Sequence, residues 1–299
     1  MNSTLEHPEI AAHGPVHLDV TDGDRSLLFW RDVLGLEVIS RDGSAIEVGA
    51  GDRVLLVLHP GAERGALKGH TGLYHLAVHV PDAAEFAYVL ARLFAARYPN
   101  SPTEHYFSKA TYLDDLDGIG VEITLETPER VTGVTVEGGR PMLIDSEGTS
   151  RPAVDHLDLE EAMSHLEEER ADRPLKAGTW IGHVHLHVNE MERTEHFYRD
   201  LLGFPNGFDM PGTGMSDVHF KGDFKHRIAY NVWQGPDAVQ APEGTAGLRY
   251  FTLVLRTPEA LDAALAKLAE AGHPSERRAD GSLVHDPAGN AILLTAASP

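Results

Sequence analysis

The chain repeats itself. Residues 14–36, GPVHLDVTDGDRSLLFWRDVLGL, align without a gap to residues 182–204, GHVHLHVNEMERTEHFYRDLLGF. A fainter pair relates TGLYHLAVHVPDAAEFAYVLARLFAA, from residue 71, to AGLRYFTLVLRTPEALDAALAKLAEAG, from residue 246. Their ends match too: DLDGIGVEI from residue 115 aligns with DPAGNAILL from residue 286. Self-similarity of this kind means that one supersecondary unit is used several times, which narrows the available folds more than composition does. Four modules result, spanning residues 14–60, 71–127, 181–235 and 246–297.

Each module opens with an alternating strand, such as Val16-His17-Leu18-Asp19-Val20, and continues into a helix, such as 81–96, with apolar residues at helical spacing. Each ends in short strands punctuated by Gly and Asp turns. The unit reads as βαβββ. The expected fold is α+β: four such modules paired into two domains with curved, cavity-forming mixed sheets. A length of 299 residues agrees with two domains, because a single core rarely grows so large. The expected division is an N-terminal module pair over 1–127, a linker with an acidic helix over 128–180, and a C-terminal pair over 181–299. The acidic run in the linker, LDLEEAMSHLEEERADRP, reads as a solvated face.

Charge and composition remove several function classes. A formal net charge of −21 repels phosphate backbones and anionic membranes, so nucleic acid is not an expected partner. No apolar run is long enough to span a membrane. The start, MNSTLEHPEIAAHG, lacks a basic region and an apolar stretch, so no signal peptide is expected. Cysteine is absent, which excludes disulfides and thiolate metal sites and makes a cytoplasmic enzyme the plain reading. Histidine, at 18 residues, is the unusual count, and its placement matters more than its number.

Side chains alternate across a strand. Val16, Leu18 and Val20 share one face, with His17 and Asp19 on the other. Leu76, Val78 and Val80 share a face opposite His75, Ala77 and His79. In GVEITLE, Val121, Ile123 and Leu125 oppose Glu122. A carboxylate in so apolar a strand is costly unless a cation or a donor network holds it. With helices covering the apolar stripes, His17, His75 and Glu122 line a concavity. Two imidazoles and one carboxylate converging there make the facial set suited to non-haem Fe(II), with open positions left over. His79 and Asp19 lie nearer their strand ends and read as exposed.

These features resemble the vicinal oxygen chelate superfamily of glyoxalases, bleomycin resistance proteins and extradiol dioxygenases. Tandem βαβββ modules, a His in the first strand and the D-x-D-G-x-x-x-E closing strand carry the likeness. GHVHLHV, NVWQG at 231–235 and the junction PLKAGTWIGHVHL resemble the two-domain proteins like catechol 2,3-dioxygenase. The stretch TEHYFSKATYLDDLDGIGVEI resembles the extradiol signature and supplies His105, Tyr112, Asp115, Gly118 and Glu122. Leu116 stands where the signature has proline, Thr111 where it prefers an apolar residue, and Ile119 where asparagine is common. The resemblance implies His17, His75 and Glu122 as metal ligands. It also implies His105 as a general acid–base group and Tyr112 as a hydrogen-bond donor to the substrate. The implied cofactor is Fe(II), with Mn, Ni and Zn also open. The implied partners are a small aromatic diol and dioxygen, in aromatic catabolism. Relatives commonly assemble through edge strands or domain faces, which leaves a homo-oligomer open.

Modules three and four keep the repeat but not these ligands. His185 aligns with His17, Tyr250 with His75, and Leu293 with Glu122, so a metal site there reads as degenerate. His183, His185 and His187 share a strand face, and His226 lies on a later strand. Histidines two apart on one strand diverge, so a packed or substrate-shaping role is expected for them. Glyoxalase-type members use four protein ligands. The closing strand of module one, DRVLLVL, is apolar in its middle, and His59 just beyond it is the only candidate fourth ligand. Three ligands favour ring cleavage. The alternatives are a non-oxidative metal-dependent isomerase or lyase and a metal-free small-molecule binder.

Overall fold

The computed structural model describes residues 10–167, 172–207, 212–220 and 226–297. Most of the N-terminal stretch read for a leader, and residues 168–171 of the acidic run, lie outside the described residues. Among the described residues, two eight-stranded mixed sheets and one three-stranded sheet make up an α+β fold. The first large sheet runs Glu276–Arg277, Ser282–His285, Ala291–Ala296, Gly247–Leu255, Ile10–Val20, Arg53–Pro60, Ile46–Ala50, Glu37–Arg41. The second runs Asp155–His156, Ser101–Glu104, Ser108–Asp114, Gly120–Glu126, Gly72–His79, Trp180–His187, Ile228–Asn231, Met215–Val218.

Both sheets share one plan. Two opening strands lie antiparallel at the centre, and each is flanked by a parallel strand from the end of its own module. The central pair of the first sheet comes from modules one and four; that of the second comes from modules two and three. This corrects the expected pairing of one with two and three with four. All four opening strands share the same alternation, so the choice of partner rests on long-range packing rather than on local pattern.

The apolar stripes are buried as expected, with Val16, Leu18, Val20, Leu76, Val78 and Val121 in the core. Helix Ala83–Ala95 covers the second sheet with Phe86, Val89, Leu90 and Leu93, and Asp82 caps it by accepting from the Glu85 N–H at 2.7 Å. The strong repeat extends to backbone detail. Helices Gly23–Leu27 and Met191–Glu195 each widen at their ends, where Leu34 N–H donates to Phe29 and Leu202 N–H to Phe197, five residues back.

The closing turns also match. Asp115 Oδ1 accepts from the N–H groups of Asp117 and Ile119 at 2.8 and 2.9 Å, and Asp286 Oδ1 does the same for Ala288 and Asn290, both at 2.9 Å. Asp117 then ties module two to module one, accepting from Thr21 N–H at 2.8 Å and from its hydroxyl at 2.6 Å.

The segment expected to be a linker with an acidic helix is richer than that. It holds the antiparallel strands Val131–Glu137, Arg140–Asp145 and Ser150–Pro152, an edge strand Asp155–His156, and a short helix Leu159–Met163. Among the described residues, no helix is long and apolar enough to cross a membrane.

Candidate metal centre

The polar face of the second sheet carries the site. In register across four strands stand Tyr112, Glu122, Ala77 and His183. His75 lies two residues before Ala77 on the same strand face, opposite His185. Ala77 is the small residue in the middle. Neighbouring strands are about 4.8 Å apart, so the Glu122 and His183 backbones are about 10 Å apart. Their side chains close that gap by leaning over the Ala77 methyl.

The three functional atoms converge. His183 Nε2 and His75 Nε2 each lie 3.0 Å from Glu122 Oε2, and 3.3 Å from each other. All three residues are buried. Among the described residues, this is the one group of His and acidic side chains able to hold a metal ion. Coordinate bonds of about 2.1 Å meeting near right angles separate neighbouring donors by about 3 Å, so the spacing fits a divalent ion. Two imidazoles and a carboxylate on one side are a donor set for non-haem iron.

The electrostatics agree with a cation. Burial alone would push the Glu122 carboxyl up, but His183 and His75 outweigh it and hold the carboxyl well below the usual carboxylate range. Burial holds the His183 imidazole well below its ordinary value, against the pull of Glu122. A carboxylate buried this deeply needs such donors around it or a cation in their place.

His17 is not in this group. It lies in the first sheet, stacked on Tyr250 with ring centroids 4.1 Å apart, and its Nδ1 is 3.0 Å from His59 Nε2. Burial, with His59 and Arg249 adding to it, lowers its pKa to about 3. On that sheet Leu293 replaces Glu122 and packs with Tyr250 and Leu283. Since module one pairs with module four, His17 faces this apolar cluster, and the strand facing His75 comes from module three. The repeat carried a signal for His183: it stands where module one has Pro15, a change of chemistry on a shared backbone position. His79, expected to be exposed, is fully buried because the strand of module three covers it.

His105 and Tyr112 stand at the same cavity. His105 Nδ1 donates to the Ala153 carbonyl at 2.9 Å, which leaves Nε2 to accept from the Tyr112 hydroxyl at 2.8 Å. Burial, with Glu122 and Tyr74 adding to it, raises the Tyr112 pKa well above the ordinary phenol value, so the hydroxyl stays protonated. The cavity has a volume of about 390 Å³, with Phe107, Pro141, Val154, Met215 and Trp233 among its walls. Pro141 and Val154 come from the inserted segment, which therefore shapes the site.

His226 is a further residue of this cavity. Asp217 Oδ2 accepts from its Nδ1 at 2.6 Å, and its ring lies 4.5 Å from that of His183. His185 and His187 are tied to one amide instead: Asn231 donates to His185 Nε2 at 2.8 Å and accepts from His187 Nδ1 at 2.9 Å.

The chain resembles known proteins along most of its length. The family model described as the Glyoxalase/Bleomycin resistance protein/Dioxygenase superfamily matches residues 13–123 and 180–294. The chain is 33% identical over 286 residues to a catechol-2,3-dioxygenase of Bacillus subtilis (strain 168), covering 94% of this chain and 95% of that protein. A solved protein of Bacillus subtilis subsp. subtilis str. 168 superposes with a TM-score of 0.64 at 15% identity, covering 97% of this chain and 86% of that one. Glyoxalase I from Zea mays superposes with a TM-score of 0.58 at 14% identity, covering 95% and 92%. At such identities the two structures establish likeness of fold.

Proposed function

Because the chain belongs to the glyoxalase/bleomycin resistance protein/dioxygenase superfamily, we propose that it is an Fe(II)-dependent extradiol dioxygenase that opens the ring of a small catechol-type aromatic. The observation that carries this reading is the convergence of His75, His183 and Glu122 on the floor of a cavity. These three are the proposed ligands, with His183 taking the place first given to His17. The catechol-2,3-dioxygenase relative, matched along nearly the whole chain, supports the reaction class. Ferrous iron, when bound, supplies the Lewis acidity and one-electron chemistry that join an aromatic diol to dioxygen.

The remaining residues handle the substrate and its protons. Phe107, Pro141 and Met215 present apolar surface to a flat ring and keep bulk water away from the floor. His226 takes a proton from a diol hydroxyl, and Asp217, buried behind it, steadies the imidazolium that forms. Tyr112 and His105 form a second proton-holding pair: the protonated phenol faces the ligand cluster, and His105 Nε2 behind it accepts or returns that proton. The Ala153 carbonyl fixes the His105 ring so that this nitrogen stays an acceptor.

The test is anaerobic loading with Fe(II), followed by oxygen uptake with a panel of small catechols. The expected result is one dioxygen consumed per diol, and loss of both uptake and iron in Glu122→Gln. Turnover of substrate without oxygen would instead identify an isomerase or lyase. Failure to take up any metal would identify a binding protein.

A further inference from the structure

A line of buried side chains runs behind His183, away from the cavity. His183 Nδ1 lies 3.0 Å from His79 Nε2, and His79 Nδ1 lies 2.7 Å from Glu126 Oε1. Arg227 donates to that same Glu126 oxygen at 2.7 Å. It also donates to the carbonyl of Gly182 at 3.1 Å, gripping the residue just before His183. The His79 ring lies against Gly182, where an added methyl carbon would be 2.0 Å from the ring. Only glycine at 182 leaves room for the imidazole.

Carboxylate oxygen only accepts, so His79 Nδ1 donates to Glu126, and His79 Nε2 is the atom that meets His183 Nδ1. An imidazole binds a metal through a nitrogen without a proton and keeps its proton on the other nitrogen. His183 Nε2, 3.0 Å from Glu122 Oε2, is the nitrogen at the metal centre, so a metal-bound His183 carries its proton on Nδ1, directed at His79 Nε2.

We propose that His79, anchored by Glu126 and Arg227 and seated on Gly182, is a positioning residue for the metal centre: it holds His183 in the Nδ1-protonated tautomer and aims its Nε2 at the ion. This rests on the assignment of His183 as a ligand. It extends that assignment to a side chain that touches neither metal nor substrate. Hydrogen bonding of a ligand imidazole through its other nitrogen is a common device for fixing its tautomer, and losing such a partner costs about 10–100-fold in metal affinity.

Calorimetric titration of the full chain with Co(II) tests it. One site is expected in the wild type, weakened about 10–100-fold in His79→Leu. In His79→Gln the amide oxygen can replace the lost acceptor, so the affinity should be largely restored. Unchanged Co(II) affinity in His79→Leu would overturn the proposal, as would an affinity in His79→Gln as weak as that of His79→Leu. Absence of Co(II) binding in the wild type would overturn the ligand assignment itself, a separate outcome.

Discussion

Ala77 gives the sharpest test of how the metal centre is built. It is fully buried, lies abreast of Glu122 and His183, and follows His75 by two residues. The ligand atoms meet above its methyl group, within 3.0–3.3 Å of one another. Ala77→Leu places three more carbons in that space. Overpacking of a close-packed interior costs about 1–3 kcal/mol, and in a chain this large each kcal/mol lowers the midpoint by about 2–4 °C. The effect on metal should be larger. A four-ligand zinc site is worth about 10–16 kcal/mol, or roughly 3 kcal/mol per ligand, so parting one donor from the rest costs on the order of a hundredfold in affinity. Ala77→Gly adds no bulk and should cost only about 0.5–1 kcal/mol of stability while binding metal nearly as the wild type does. Thermal unfolding of metal-free protein and calorimetric metal titration measure the two quantities independently. Wild-type metal affinity in Ala77→Leu would show that the three side chains do not meet over this residue.

The other predictions concern single residues. His183→Ala should lose metal by at least a hundredfold, whereas His17→Ala should keep it, since His17 stacks on Tyr250 in the other sheet; equal losses in a metal titration would refute the site as described. Tyr112→Phe leaves His105 Nε2 unpaired in the cavity wall and should slow turnover by roughly 10-fold to 100-fold, with iron content unchanged by metal analysis. Burial raises the Asp286 pKa from 3.8 to about 6, although Asn290, Tyr198 and Ala288 donate to it. Its neutral form is thus favoured by folding. That contribution is fully present below about pH 4 and is lost as the pH rises through 6, an effect of roughly 3 kcal/mol. Urea unfolding across that range should show a shallower pH dependence in Asp286→Asn than in the wild type, and identical slopes would contradict the assignment.

Some features were legible because they depend only on neighbours along the chain. Alternation set the faces of Gly72–His79 and Gly120–Glu126, so His75 and Glu122 could be placed opposite the buried stripe before any fold was known. The internal repeat announced four like units, and the closing turns announced themselves through Asp115 and Asp286, whose carboxylates bind backbone N–H groups only a few residues away. Glu122, a carboxylate in an apolar strand, pointed to a cation for a physical reason that needs no coordinates.

Tertiary structure decided which opening strands meet, and with that which histidine completes the cluster. His17, His183 and His185 all sit on polar faces of opening strands, and periodicity ranks none above the others. Long-range pairing separates them: Ile10–Val20 joins Gly247–Leu255, and Gly72–His79 joins Trp180–His187. A register shift between Ile181 and His183 then sets His183 opposite Ala77, within reach of Glu122. Local sequence specifies how a side chain leaves its own strand. The point where two side chains meet depends on the relative placement of distant strands, and only packing of the whole chain fixes that.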